Sequence, residues 1–166
     1  NPSSATNAYI TALGDDALAS LTTGANNTSI GGLTLRYVTT GNRNTALGYN
    51  AANDVTTASD VTALGAHAGE TATTSQQLTA VGAYAGRYTT TGSFNAFMGY
   101  AAGESNTTGQ ENVYLGRLAA QNNTTGSKNT AVGNAALKGG GSATFGNNVG
   151  VGHAAGHNIT TGASNV

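Results

Sequence analysis

The side chains able to do chemistry are few: no Cys, six Lys or Arg, seven Asp or Glu and three His in 166 residues. An active site needs such groups to converge. Asp15 and Asp16 are adjacent, as acid–base carboxylates can be, but neighbours on an extended chain point opposite ways, so the pair reads as a solvated turn. His153 and His157 have no acid near them in sequence, which argues against a metal site. The stretch GVGHAAG at 150–156 imitates a phosphate loop, yet no Lys-Ser/Thr pair follows it and no helix pattern continues from it. No Asp recurs as calcium-binding repeats require, and the serines lack a His partner. The expectation is therefore no catalytic, cofactor or metal site, and no enzyme. What remains is a set of recognition side chains. Tyr49, Tyr100 and Arg117 each directly follow a glycine, and His67 and Tyr84 lie two after one. Such a set can stack on sugar rings or meet a protein receptor; equally, it can pack at a seam between chains.

Those five residues are placed by a repeat. Gly14, Gly31, Gly48, Gly65, Gly82, Gly99, Gly116 and Gly133 recur with a constant period of seventeen, and Gly152 follows after nineteen, which makes nine units. A repeat this short points to a solenoid with one coil per unit. Immediately before the glycines stand Leu13, Ile30, Leu47, Leu64, Val81, Met98, Leu115, Val132 and Val151, and three after them is Ala in eight of nine units. That register separates the chain from a disordered linker of similar Gly, Thr and Asn content.

Each unit reads as strand, turn, strand, turn. In NTALG the alternation sets Thr45 and Leu47 on one face and Asn44 and Ala46 on the other. Hydrophobicity places the Leu face inward, so the nine aliphatic residues are expected as the core column. The second turn falls at the recurrent TTG, for instance 39–41 and 107–109. The column of Asn27, Asn44, Asn95, Asn112, Asn129 and Asn148 can form a hydrogen-bonded amide ladder. Paired threonines such as Thr56–Thr57 can satisfy turn backbone. The fold class expected is all-β, a parallel β-solenoid (β-roll) of nine such coils over 10–164. Residues 1–9 would end a preceding coil, 165–166 would begin another, and a two-residue insertion would bulge out near 138–147.

Charge supports the register. Five of the thirteen charged residues lie five after the glycine (Arg36, Glu70, Arg87, Glu104, Lys138) and four lie twelve after it (Arg43, Asp60, Glu111, Lys128), often with opposite signs on successive coils. These columns are expected to face water and pair weakly. A net charge of −1 with no basic patch argues against nucleic acid and anionic membrane as partners. No apolar run reaches the ~20 residues of a membrane span. The chain opens on Asn1, which suits a processed protein or a segment of a longer one. Asn26, Asn27, Asn106, Asn123 and Asn158 each head an Asn-x-Ser/Thr triplet, a glycan acceptor only in a glycosylating host.

The stretches NTAVGNAAL at 129–137 and NTTGSKNTAVG at 123–133 resemble the Asn-Thr-Ala-Val/Leu-Gly repeats of phage tail-fibre and bacterial surface-fibre proteins. They are also similar to the head repeats of trimeric autotransporter adhesins, whose units are typically shorter than those of this chain. The resemblance runs from Ile10 almost to the end of the chain. It implies a left-handed, trimeric β-roll, an extracellular location on a virion or cell surface, and a structural segment that gives reach and attachment to a host surface through a glycan or protein receptor. Two alternatives stand beside it: a subunit that stacks head to tail into a filament, and an ice-binding solenoid with Thr columns.

Overall fold

Each aliphatic residue is followed by a glycine that turns the chain, and the turn brings successive coils into near contact. In the computed structural model, which describes residues 9–166, Gly48 has φ 123°, and a Cβ on it would lie 2.7 Å from the carbonyl carbon of Gly65. Only glycine permits both the dihedral and the approach. Ahead of these glycines run nine three-residue strands: β1 (Thr11–Leu13), β2 (Thr28–Ile30), β3 (Thr45–Leu47), β4 (Thr62–Leu64), β5 (Thr79–Val81), β6 (Ala96–Met98), β7 (Val113–Leu115), β8 (Thr130–Val132) and β9 (Val149–Val151). They form one parallel sheet in sequence order, and every residue pairs with its equivalent on the next coil, as Thr45 with Thr62 and Thr130 with Val149. The chain is thus an all-β solenoid. The expected end of a preceding coil falls on residues 1–8, outside the described part, apart from Tyr9.

Two expectations are corrected. First, each coil has one strand, not two. Two and four residues after the glycine the backbone takes positive φ even at bulky side chains, as at Leu33 (61°), Leu35 (47°) and Tyr84 (61°). Left-handed residues break an extended run. Each such residue costs about 1 kcal/mol or more, and the coil contact offsets it: Leu33 N–H donates to Asp15 O at 2.8 Å and Leu35 N–H to Ala51 O at 3.2 Å.

Second, the strand faces are the reverse of the hydrophobic reading. In β2 to β8 the middle side chain points into the coil: Ala46, Ala63 and Ala80 are fully buried, as are Phe97 and Tyr114. The aliphatic column points out. Leu13 is 67% exposed, Leu47 49%, Met98 48%, Leu115 44% and Val151 66%, while Ile30, Leu64, Val81 and Val132 are half-buried. None of the nine lies in the coil's core. The lumen is narrow and already holds Leu18, Leu35, Val38 and Val55 from the other walls, and Val61 and Leu78 from the position just before the strand. Where the strand contributes a large side chain, the facing wall shrinks. Phe97 and Tyr114 stack at 4.9 Å, and a Cβ on Gly103 would lie 2.9–3.0 Å from their rings. Tyr114 hydroxyl accepts from Asn123 Nδ2 at 2.8 Å, and burial raises its pKa above the ordinary phenol value.

The Asn column is inside, on the parity of the alanines. Asn112 Nδ2 donates to Asn95 Oδ1 (3.1 Å) and Gly126 O (3.0 Å), while its Oδ1 accepts from the backbone and side-chain N–H of Asn129, both at 3.0 Å. Val61 and Leu78 interrupt this ladder. Beside Leu78, Ser75 Oγ donates to Gly92 O, the carbonyl that an Asn at 78 would serve. On another wall each first Thr of the TTG turns donates to the carbonyl of the next coil, from Thr22 to Thr39 (2.9 Å) through Thr107 to Thr124 (3.0 Å). The longer step between β8 and β9 is absorbed at Gly140, Gly141 and Ser142, which are exposed, whereas Ala143 and Phe145 are buried. The bulge is therefore narrower than 138–147.

Phe97→Ala leaves a cavity facing glycines that cannot fill it, and is expected to lower unfolding free energy by about 3–5 kcal/mol. Denaturant melts of the variant check this; a loss under about 1 kcal/mol contradicts the packing.

Candidate functional site

The residues just after the bend form the corner beside β3–β6, and the coil-to-coil register brings them into a row. Tyr49 and His67 meet edge-on at 5.6 Å, His67 and Tyr84 stack at 5.3 Å with planes 7° apart, and Tyr84 and Tyr100 meet edge-on at 5.8 Å. Four of the five candidate contact residues thus touch in series. Tyr49 is 56% exposed and Tyr100 50%, the inner two being half-buried. Arg117 lies one coil further along, exposed, and joins neither a ring nor an ion pair among the described residues.

Behind the row sits a polar hub that sequence reading did not assemble. Glu70 Oε1 accepts from Asn50 Nδ2 at 2.7 Å; its Oε2 accepts from Arg87 Nε at 2.7 Å and lies 3.0 Å from His67 Nδ1. Arg87 also lies over the rings of Tyr84 (5.4 Å) and Tyr88 (4.9 Å). The hydrogen bond to Glu70 raises the Arg87 pKa. The signal was present as the alternation of Glu70 and Arg87 in one charge column. What was missing was the turn geometry that folds a residue three positions on back beneath His67.

Other charged residues are held singly. Arg43 grips Asp60 through two bonds of 2.6 and 2.8 Å, and this hydrogen bonding lowers the Asp60 pKa. Arg36 reaches Asp16 at 3.1 Å. Glu104 accepts from Gln121 at 2.8 Å rather than meeting Arg87, and Glu111 and Lys128 form no ion pair among the described residues. The column twelve after the glycine is largely open, but the column five after it is only half-exposed, contrary to expectation. His157 Nδ1 meets Asn158 Oδ1 at 2.8 Å. Among the described residues no three His, Asp or Glu side chains cluster as a metal site would need. Of the Asn-x-Ser/Thr positions, Asn27, Asn106 and Asn123 are fully buried and bonded inside the coil. Asn122, which also heads such a triplet, is half-buried and donates Nδ2 to Gly139 O at 2.9 Å, and Asn26 and Asn158 are exposed.

The arrangement presents a row of rings and hydroxyls beside the Glu70–Arg87 ion pair along one corner of the solenoid. Comparison with protein-family models, with curated proteins and with solved structures gives no match.

Asp54 adjoins the hub from the previous coil, its N–H bonded to Glu70 O. Burial first, and the Glu70 charge second, raise its pKa. A carboxyl raised on folding destabilises fully above its folded pKa; the penalty shrinks as pH falls through that pKa and is gone below the unfolded value of about 3.9. Asp54→Asn should therefore raise the unfolding midpoint at neutral pH, with the gain gone below about pH 4. Melts across pH read this; a gain that is independent of pH rules it out.

Proposed function

We propose that this chain is a spacer segment of an extracellular fibre, of the phage tail-fibre or bacterial surface-fibre kind, working as a homo-oligomer, most simply a trimer. The observation that carries this reading is the outward aliphatic column. Nine coils stacked at about 4.8 Å give a face ~40 Å long. Outward along it run Leu, Ile, Val and Met at every step, with Thr, Ala or Val two residues before. Isolated apolar side chains on a surface need no explanation, but a continuous apolar face marks an interface. The ring row adjoins this face, Tyr49 and Tyr100 each lying two residues from Leu47 and Met98, so we assign it to the same covered surface rather than to a receptor site. The resemblance to fibre repeats supports the trimer and the extracellular setting. The role follows from shape: a continuous stack of nine paired coils supplies reach, and no converging polar cluster is needed for it.

Sedimentation analysis of the protein should give three times the chain mass. Leu64→Asp with Val81→Asp should abolish association while strand content by circular dichroism persists, because both side chains point away from the coil's own core. A monomeric parent protein at micromolar concentration contradicts the proposal, as does a doubly substituted chain that stays associated.

A further inference from the structure

The apolar face has two rims, and they differ. One is the column five before the glycine, which holds Arg43, Phe94 and Glu111; the other directly follows the glycine and holds Tyr49, Tyr100 and Arg117. The strand lies between them. All six are exposed: Arg43 has 60% of its side chain open, Phe94 is 55% exposed and Tyr100 50%. Set level, the rims complement each other in three of the nine coils. In the third coil Arg43 faces Tyr49, a cation and a ring. In the sixth Phe94 faces Tyr100, two rings. In the seventh Glu111 faces Arg117, opposite charges. Within one chain these partners stand on opposite sides of the strand, up to about 20 Å apart. Neither Glu111 nor Arg117 has an ion-pair partner among the described residues.

We propose that copies of this chain pack parallel and in register around an axis along the solenoid, each seating its Arg43–Phe94–Glu111 rim on the Tyr49–Tyr100–Arg117 rim of the next. The proposal rests on the homo-oligomer read above and adds its geometry. Rotation about an axis parallel to the solenoid brings unlike rims together. An antiparallel two-fold brings like rims together, Glu111 to Glu111 level or to its neighbours in the column. A slip of one coil in one sense sets Arg117 against Lys128, two cations. The occupant is a second copy because the face is a ladder with one coil spacing, and another ladder of that spacing sets the third, sixth and seventh coils level at once. The face, ~40 Å by ~20 Å, is on the order of 800 Å² per chain, shared in a ring between two neighbours at about 400 Å² each, so that stability comes from closing every contact of the ring together. Rim-to-rim contact of unlike surfaces, in register about an axis parallel to the solenoid, closes into a ring when the rotation is a whole fraction of a turn.

The native chain contains no Cys, so paired cysteines report on this cleanly. Phe94→Cys and Tyr100→Cys are introduced singly and together, and the assembled protein is treated with a short bis-maleimide. The double variant should yield covalently closed rings on a denaturing gel. Each single variant alone should yield none, and co-assembled single variants should yield linked pairs. Linked pairs from a single variant alone overturn the proposal, as does no linkage in a double variant whose sedimentation shows intact assembly; in both cases the homo-oligomer itself stands. A monomeric parent sinks both. Should cysteines disturb assembly, charge exchange decides: Glu111→Lys or Arg117→Glu should each weaken association about tenfold or more, and the two together should restore most of it. Additive losses in the double exchange contradict the pairing.

Discussion

Everything in this molecule depends on hydrogen bonding between equivalent positions of successive coils. A single coil buries almost nothing and contains a strand of only three residues. Stacked, it gains strand pairs, turn amides donated to the coil on either side, threonine hydroxyls on the next carbonyl, and asparagine amides threaded through the interior. That stacking also sustains three non-glycine residues in left-handed conformation in a typical coil, for example Leu33, Leu35 and Arg43. Isolated, such a segment would relax; between two neighbours it is fixed by groups it cannot leave unpaired.

The same constraint explains the core. Axial register ties each side chain to its equivalents, so volume is balanced within and between columns. Phe97 and Tyr114 occupy a column of alanines only because the facing positions are Gly86 and Gly103. Leu137 likewise crowds the places where Gly150 and Gly156 have no side chain. Polar groups obey the same logic, and Ser75 serves a carbonyl that Leu78 cannot.

The repeat, its length, the parallel stacking and the parity of each strand were legible in the sequence, because glycine spacing and alternation are local signals. Which parity faces inward was not. Hydrophobicity favours Leu47 over Asn44 for the interior, yet Asn44 is buried because its amide bridges backbone groups of neighbouring coils. The burial of an asparagine column becomes intelligible only with the carbonyl of the following turn in place. The ring row was legible as separate columns, Tyr49 and Tyr100 in one and His67 and Tyr84 in the next, but their contact depends on turn geometry. Glu70 was read as a surface charge, and its place beneath the rings comes from the left-handed turn at His67.

Inward parity with a buried amide ladder is the central claim, and side-chain amide hydrogen exchange measures it most directly. The Nδ2 protons of Asn112, bonded on both sides within the coil, should exchange as slowly as the backbone amides of β7, while those of exposed Asn134 exchange freely. If the Asn112 side-chain protons exchange at the rate of Asn134, the asparagines do not line the interior and this account of the fold is wrong.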